Sequence, residues 1–378
     1  MTAGPEAAAP ASPQPAHASK RGLKLEFEPN DPFRAELRKR VDEYFQRTGR
    51  PRQDCWEMYA KTVVVLACFV ASYLLLVFVA QTWWQGLLLA LAMGLCTAGI
   101  GFNIQHDAGH KAYSKHAWVN GLMAFTLDLI GGSSYVWRWK HAVIHHNYVN
   151  ITGYDYDIDV GGIARFTPRQ PQLPIHRWQH LYMWPLYGLL VIKWQLVTDF
   201  RFLITSALGP HELPRPRGWD LAVFFLGKAL FFGWAFVLPM FFHPVWVVLL
   251  FYVVAASFLG VLMSVVFQIP HCAEQADFPI PSPKTGRMET PWGVHQVNVT
   301  LDFARKRRAT FWFVGGLNFH REHHLFPVIC HINYPALSGI VEQTCRDFGL
   351  KSEEHPTFWG GVAAHYRWLK KMGREGAE

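Results

Sequence analysis

The sequence predicts an all-α integral membrane protein: four transmembrane helices under a cytosolic helical cap. Three observations carry this. Four long apolar runs stand out among the 378 residues. They pair into two hairpins with very short connectors. Almost all of the charge lies in the three segments outside them.

The first run, 59–80, carries one charge, Lys61, at its leading edge, and the second, 86–104, carries none. Runs 221–242 and 245–267 form the second pair. Each is close to the ~20 residues that cross ~30 Å of hydrocarbon. Lys228, about two turns into the third run, is expected to snorkel toward the nearer interface. The connectors 81–85 (QTWWQ) and 242–244 (FHP) hold no Lys or Arg. Essentially all 36 basic residues lie in 1–58, 105–220 and 268–378. The positive-inside rule puts these three segments, and both termini, in the cytoplasm. The net charge of +8 suits anionic headgroups and an acidic redox partner. The basic residues form no stripe of the kind that binds nucleic acid. The six cysteines include no CxxC and read as reduced packing thiols.

Outside the spans, residues 1–32 read as a tail whose Ala-, Pro- and Ser-rich start is expected to be disordered. Residues 33–47 place Phe33, Leu37, Val41 and Phe45 on one helical face, an amphipathic helix lying on the cap or the membrane. Residues 176–204 read as interfacial or half-inserted helices broken at Pro185, 209–218 as a loop, and 273–293 as irregular. Pro335 opens a last helix to about Phe348. One main domain, 33–350, and a C-terminal tail, 351–378, complete the layout.

Nine of the nineteen histidines fall in four groups beside the spans. They are His106 with His110; His141 with His145 and His146; His271; and His320 with His323 and His324. Spacings of three and four put pairs on one helix face. Three such groups on one side of a membrane describe a metal site. The other ten, His116, His295, His331 and His355 among them, lack partners at this spacing and are expected not to ligate. A zinc takes three or four ligands, whereas eight or nine imidazoles suit two ions of higher coordination. Imidazole accommodates iron, copper, nickel and zinc; a lipid substrate, with its unactivated C–H bonds, points to iron. Asp107, Asp155 and Asp157 stand where they would accept the far ring N–H of ligating histidines.

These features resemble the membrane fatty acid desaturases, with their three histidine boxes. Here the boxes are His106–His110, His141–His146 and His320–His324, in the family's order and spacing, and the resemblance runs from about Phe33 to Leu350. The motifs HHNYVNITGYDYD (145–157), VFQIPHCAEQADFP (266–279), HQVNVTLDFA (295–304) and GGLNFHREHHLFP (315–327) are similar to the bacterial linoleoyl-CoA-desaturase-like and front-end branch. The resemblance implies two iron ions, dioxygen as co-substrate, His271 as a ninth ligand, and a narrow tunnel that bends an acyl chain past the metals.

Two departures stand out. His320 replaces the Gln that commonly opens the third box of front-end members. Phe267, with Gln268 beside it, stands where acyl-CoA desaturases hold a water with Asn; Gln268 is the candidate substitute. There is no HPGG motif, so the electrons are expected from a separate donor, a ferredoxin or a b-type cytochrome with its reductase. The expectation is an enzyme that introduces a cis double bond into a fatty acyl chain carried on CoA or lipid. A lipid hydroxylase on the same scaffold, and a non-catalytic membrane metal-binding or transport protein, are the alternatives.

Overall fold

The computed structural model describes residues 25–375; the expected disorder of the first 22 residues falls outside them. The chain is mostly helical. Among the described residues, four helices are long and apolar enough to cross a membrane: Trp56–Val79, Trp83–Gly109, Trp219–Met240 and Val245–Gln268. They overlap the four apolar runs, so composition alone located them.

The hairpin turns meet at one end of the bundle. The Phe78 and Phe242 rings lie 5.0 Å apart, and His243 Nε2 donates to Val77 O at 2.6 Å. At the opposite end the second span runs into His106, and the fourth stops just before His271. All four histidine groups therefore gather at the end away from the connectors.

Small residues bring the helices close. A Cβ on Gly260 of the fourth span would lie 2.6 Å from Tyr187 O and 2.8 Å from Gly188 O. Helix Gln179–Lys193 packs there, backbone on backbone. This helix was expected to break at Pro185, yet it runs through it and continues by a π turn, Trp194–Thr198, into Asp199–Thr205. Proline removes the bond to the Leu181 carbonyl, a cost of about 3 kcal/mol; packing along the fourth span offsets it.

Lys228 does not snorkel. It is 4% exposed, and its Nζ donates to Asp199 Oδ2 at 2.7 Å, Gly131 O at 2.7 Å and Gln195 O at 3.1 Å. A buried ammonium keeps its charge only with such partners, and they come from segments far away in sequence.

The amphipathic helix forms as Pro32–Thr48, capped by Asp31, which accepts from Arg34 N at 2.9 Å. Gly49 ends it at φ 63. Its four apolar positions are buried against Leu337, Val341 and Cys345 of helix Tyr334–Asp347, so its apolar face packs on the protein.

Both expected tails are partly structured. Met288 N donates to Glu26 O at 2.9 Å, and Leu25 is buried. At the other end, Phe358–Met372 forms a helix that buries Ala364, His365 and Leu369 completely. Ala364, Trp368 and Met372, four apart, form its buried face. The 209–218 loop includes half of a minimal hairpin, His211–Glu212 paired antiparallel with Ala207–Leu208.

Candidate metal centre

Three short helices and one loop deliver the nine histidines. His106 opens a final α turn after a π segment of the second span, Ile100–Gln105, and His110 follows it as the helix ends. His141 and His145 lie on a π-helical stretch, Arg138–His145. π turns are rare and concentrate at functional sites. His320, His323 and His324 share the helix His320–Leu325. His271 sits in the turn after the fourth span.

The structure brings all nine together and sorts them across the sequence groups. His106, His110, His141 and His323 each offer a ring nitrogen within 4.8 Å of the others, and so do His145, His271 and His324. His320 joins the latter, its Nε2 2.8 Å from His271 Nε2. His146 lies between, its ring 4.5 Å from that of His110 and 4.3 Å from that of His324. His141 and His323 thus approach the first group while His145 and His320 approach the second, although His141 also stays within reach of His145 and Asp157.

Ring orientation follows from the outer partners. His271 Nδ1 lies 3.2 Å from Val299 O, and His320 Nδ1 3.0 Å from Leu317 O. A carbonyl only accepts, so both Nδ1 atoms carry the proton and both neutral rings present a bare Nε2. Gln296 Nε2 donates to His146 O at 3.1 Å, which leaves Gln296 Oε1 to accept from His324 Nδ1 at 3.0 Å. Asp155 accepts from His145 Nδ1 at 3.2 Å. His323 Nδ1 lies 3.3 Å from the Tyr334 hydroxyl.

The consequence is a cluster of lone pairs facing one another. His320 Nε2 and His271 Nε2 are 2.8 Å apart with no proton between them, and His106 Nε2 and His141 Nε2 are 3.1 Å apart. His110 Nε2, His323 Nε2 and His324 Nε2 are buried without any hydrogen-bond partner. Such atoms are costly to bury; a cation among them satisfies them. The donor set fits soft-to-borderline divalent metals.

Charge supports the same reading. Burial, reinforced by neighbouring imidazoles, pushes His110 and His271 down to about 3 and holds His141, His146, His320, His323 and His324 well below the usual histidine value. These rings are neutral at physiological pH, the form that ligates. His145 differs: burial opposes its charge, but Asp155 prevails and raises it. A carboxylate on the far nitrogen also makes the near one a stronger donor.

Of the four residues expected to support the cluster, Asp155 does so. Asp157 lies 3.7 Å from His145 Nδ1 and pairs with Lys140 at 2.7 Å. Asp107 turns away: its Oδ2 accepts from His331 N at 3.1 Å and His331 Nδ1 at 3.0 Å. Gln268 has a buried Oε1 without a partner, while Phe267 lies 6.2 Å, ring to ring, from His141. Gln296 and Tyr334 went unrecognised. Gln296 lies in the HQVNV motif, which marked its segment; nothing marked Tyr334.

The family model for the fatty acid desaturases matches residues 81–354. The sn-1 linoleoyl-lipid 6-desaturase of Arthrospira platensis is 36% identical over 92% of this chain and 95% of its own length. The enzyme of the same name from Synechocystis is 33% identical over 93% of the chain and 98% of its own length. The acyl-lipid (8-3)-desaturase of Physcomitrium patens is 36% identical over 91% of the chain and 72% of its own length. With this coverage, and with a histidine cluster suited to metal at the end of four apolar helices, the chain belongs to the fatty acid desaturase family and is an enzyme that desaturates fatty acids.

Proposed function

We propose that the chain is an oxygen-dependent acyl-lipid desaturase that binds two iron ions on the cytosolic side of the membrane. The observation that carries this is the set of buried, facing Nε2 atoms in two adjoining groups, those of His271 and His320 free of protons. His106, His110, His141 and His323 would hold one ion; His145, His271, His320 and His324 the other; His146 stands between them. The desaturase domain then extends from about residue 33 through helix Phe358–Met372.

Bound iron, with dioxygen and two electrons from a separate ferredoxin or cytochrome system, supplies the oxidising power to remove one hydrogen from each of two adjacent methylenes. The protein's own work is positioning and dryness. Trp137 packs on His106, His110 and His141 with ring separations of 4.8–5.8 Å. None of the nine histidines is more than 7% exposed. Asp155, Gln296 and the Val299 and Leu317 carbonyls fix the ring planes, and a small misplacement changes which C–H bond is within reach. The names of the relatives support an acyl chain still attached to a membrane lipid. The basic segments outside the spans support a cytosolic centre.

Metal analysis of freshly purified protein and lipid mass spectrometry test this together. The expected result is two irons per chain and a product lighter by two hydrogens, at a cis double bond. One zinc per chain with activity retained would overturn the metal assignment.

A further inference from the structure

One short helix, Arg308–Phe313, lies about one bilayer thickness from the connectors. Trp83 and Phe102 stand about 29 Å apart along the second span, close to the ~30 Å of a bilayer's apolar core. The end of the short helix rests on that point. Asn103 Nδ2 donates to Phe313 O at 3.0 Å, the Phe102 and Phe313 rings are 6.1 Å apart, and a Cβ on Gly315 would strike the Phe102 carbonyl. The first span gives the same level. Lys61 lies about 27 Å from Val79 along it, and its Nζ stands 5.3 Å from the Trp312 ring. Trp312 is 46% exposed; at this depth an exposed indole meets the headgroup boundary.

The turn that leads into the helix carries Lys306, Arg307 and Arg308, all exposed. Arg307 N donates to Ala304 O at 2.9 Å, Ala304 N to His355 O at 2.8 Å and Phe303 N to Asn318 O at 3.0 Å, so the turn is pinned in place. Acids lie near it in the fold, but other cations hold them: Asp302 pairs with Arg321 at 3.0 Å, and Glu342 and Glu354 pair with Arg305. Among the described residues, Lys306, Arg307 and Arg308 make no ion pair of their own. The helix is about 9 Å long, so these three charges stand in or beside the headgroup layer, about 5–8 Å deep.

We propose that Lys306, Arg307 and Arg308, with Trp312 at their foot, form a binding site for the phosphate of an anionic phospholipid. Trp312 fixes the depth, and the three unpaired cations select a headgroup with net negative charge. That depth, with the exposed indole, favours a lipid over an acidic protein. A cation beside an anionic surface is worth roughly fivefold in binding, so the three together are worth roughly 100-fold. The assignment depends neither on the metal nor on the reaction.

Lipid titration of the full chain in detergent, read by native mass spectrometry, tests it. Wild type is expected to bind phosphatidylglycerol in preference to phosphatidylcholine. The triple variant Lys306→Gln, Arg307→Gln, Arg308→Gln should bind phosphatidylglycerol roughly 100-fold more weakly. A second triple variant, Arg38→Gln, Lys39→Gln, Arg47→Gln, removes three other exposed cations and should bind it as the wild type does. Equal loss in both variants would reduce the effect to net charge and overturn the site, as would equal binding of the two lipids by wild type. Excess glycerol phosphate should leave the lipid bound; full displacement would make this a site for soluble anions and overturn the lipid assignment. Phosphatidylglycerol with a photoactivatable headgroup should label 306–312 of the wild type. That map decides if the first variant does not fold, and labels confined to other segments would overturn the proposal.

Discussion

Two histidine–aspartate pairs, His145–Asp155 and His331–Asp107, have nearly the same geometry. Asp155 accepts from His145 Nδ1 at 3.2 Å, and Asp107 from His331 Nδ1 at 3.0 Å. All four residues are buried. They differ at the far nitrogen. His145 turns its Nε2 side to a group of bare imidazoles. His331 Nε2 accepts from Lys61 Nζ at 3.1 Å. One pair is open to a cation; the other is already closed by one. A carboxylate–imidazole pair is therefore not a metal ligand by itself. What faces its other edge decides, and His331 with Asp107 reads as a brace between the first span, the second span and the segment after the third box.

The largest test of this difference is removal of the open histidines. His145→Ala and His323→Ala are expected to lower desaturation by more than the roughly 100-fold that loss of an outer partner can cause. Membrane insertion should stay normal, because the spans carry that signal. His271→Ala should lose iron as well as turnover. Iron per chain and product yield, measured on the same preparations, check all three.

Asp155→Asn should come next, with a loss of about 10- to 100-fold in iron affinity or activity. Asp107→Asn should behave differently: stability lower by about 1–3 kcal/mol, the cost of a disrupted buried hydrogen bond, with both irons retained. Denaturation in detergent, paired with iron analysis, separates the two. If Asp107→Asn sheds iron as readily as Asp155→Asn, the distinction between open and closed pairs collapses.

A smaller effect concerns pH. His295 and His365, outside the cluster's expected ligands, are buried and pushed down to about 4. Their carbonyl partners, Val149 and Cys272, do not reverse that. Both folded values lie below the unfolded value near 6.5, so below that pH the unfolded chain takes up the protons first. Stability should fall as pH drops from about 6.5 toward 4, by up to roughly 1.4 kcal/mol per unit for each histidine. Replacing either by Gln should flatten the profile of chelator-treated protein. The smallest effect belongs to His116, exposed and outside the cluster: His116→Ala should leave iron and turnover unchanged.

Several features were legible because their causes are local. A run of about twenty apolar residues is a span wherever the rest of the chain goes. Two uncharged connectors make two hairpins. Histidines four apart on a helix share a face, so the three boxes were visible as spacing, and the motif around His271 marked the fourth group. The amphipathic face of Phe33, Leu37, Val41 and Phe45 was readable for the same reason. It was the partner of that face, not its existence, that the sequence left open.

What only the tertiary structure decided involves residues far apart in the chain. His141 and His145 are one turn apart, yet His141 meets His106, His110 and His323 while His145 meets His271 and His324, because the π-helical stretch and the facing helix His320–Leu325 set which ring meets which. Asp107 adjoins His106 but bonds His331, 224 positions away. Gln296 meets His324, and Lys228 meets Asp199, only because separate helices pack there. Local spacing states which face a side chain occupies. It does not state what lies opposite, and for a buried polar group the opposite partner determines whether it holds a proton, an ion pair or a metal.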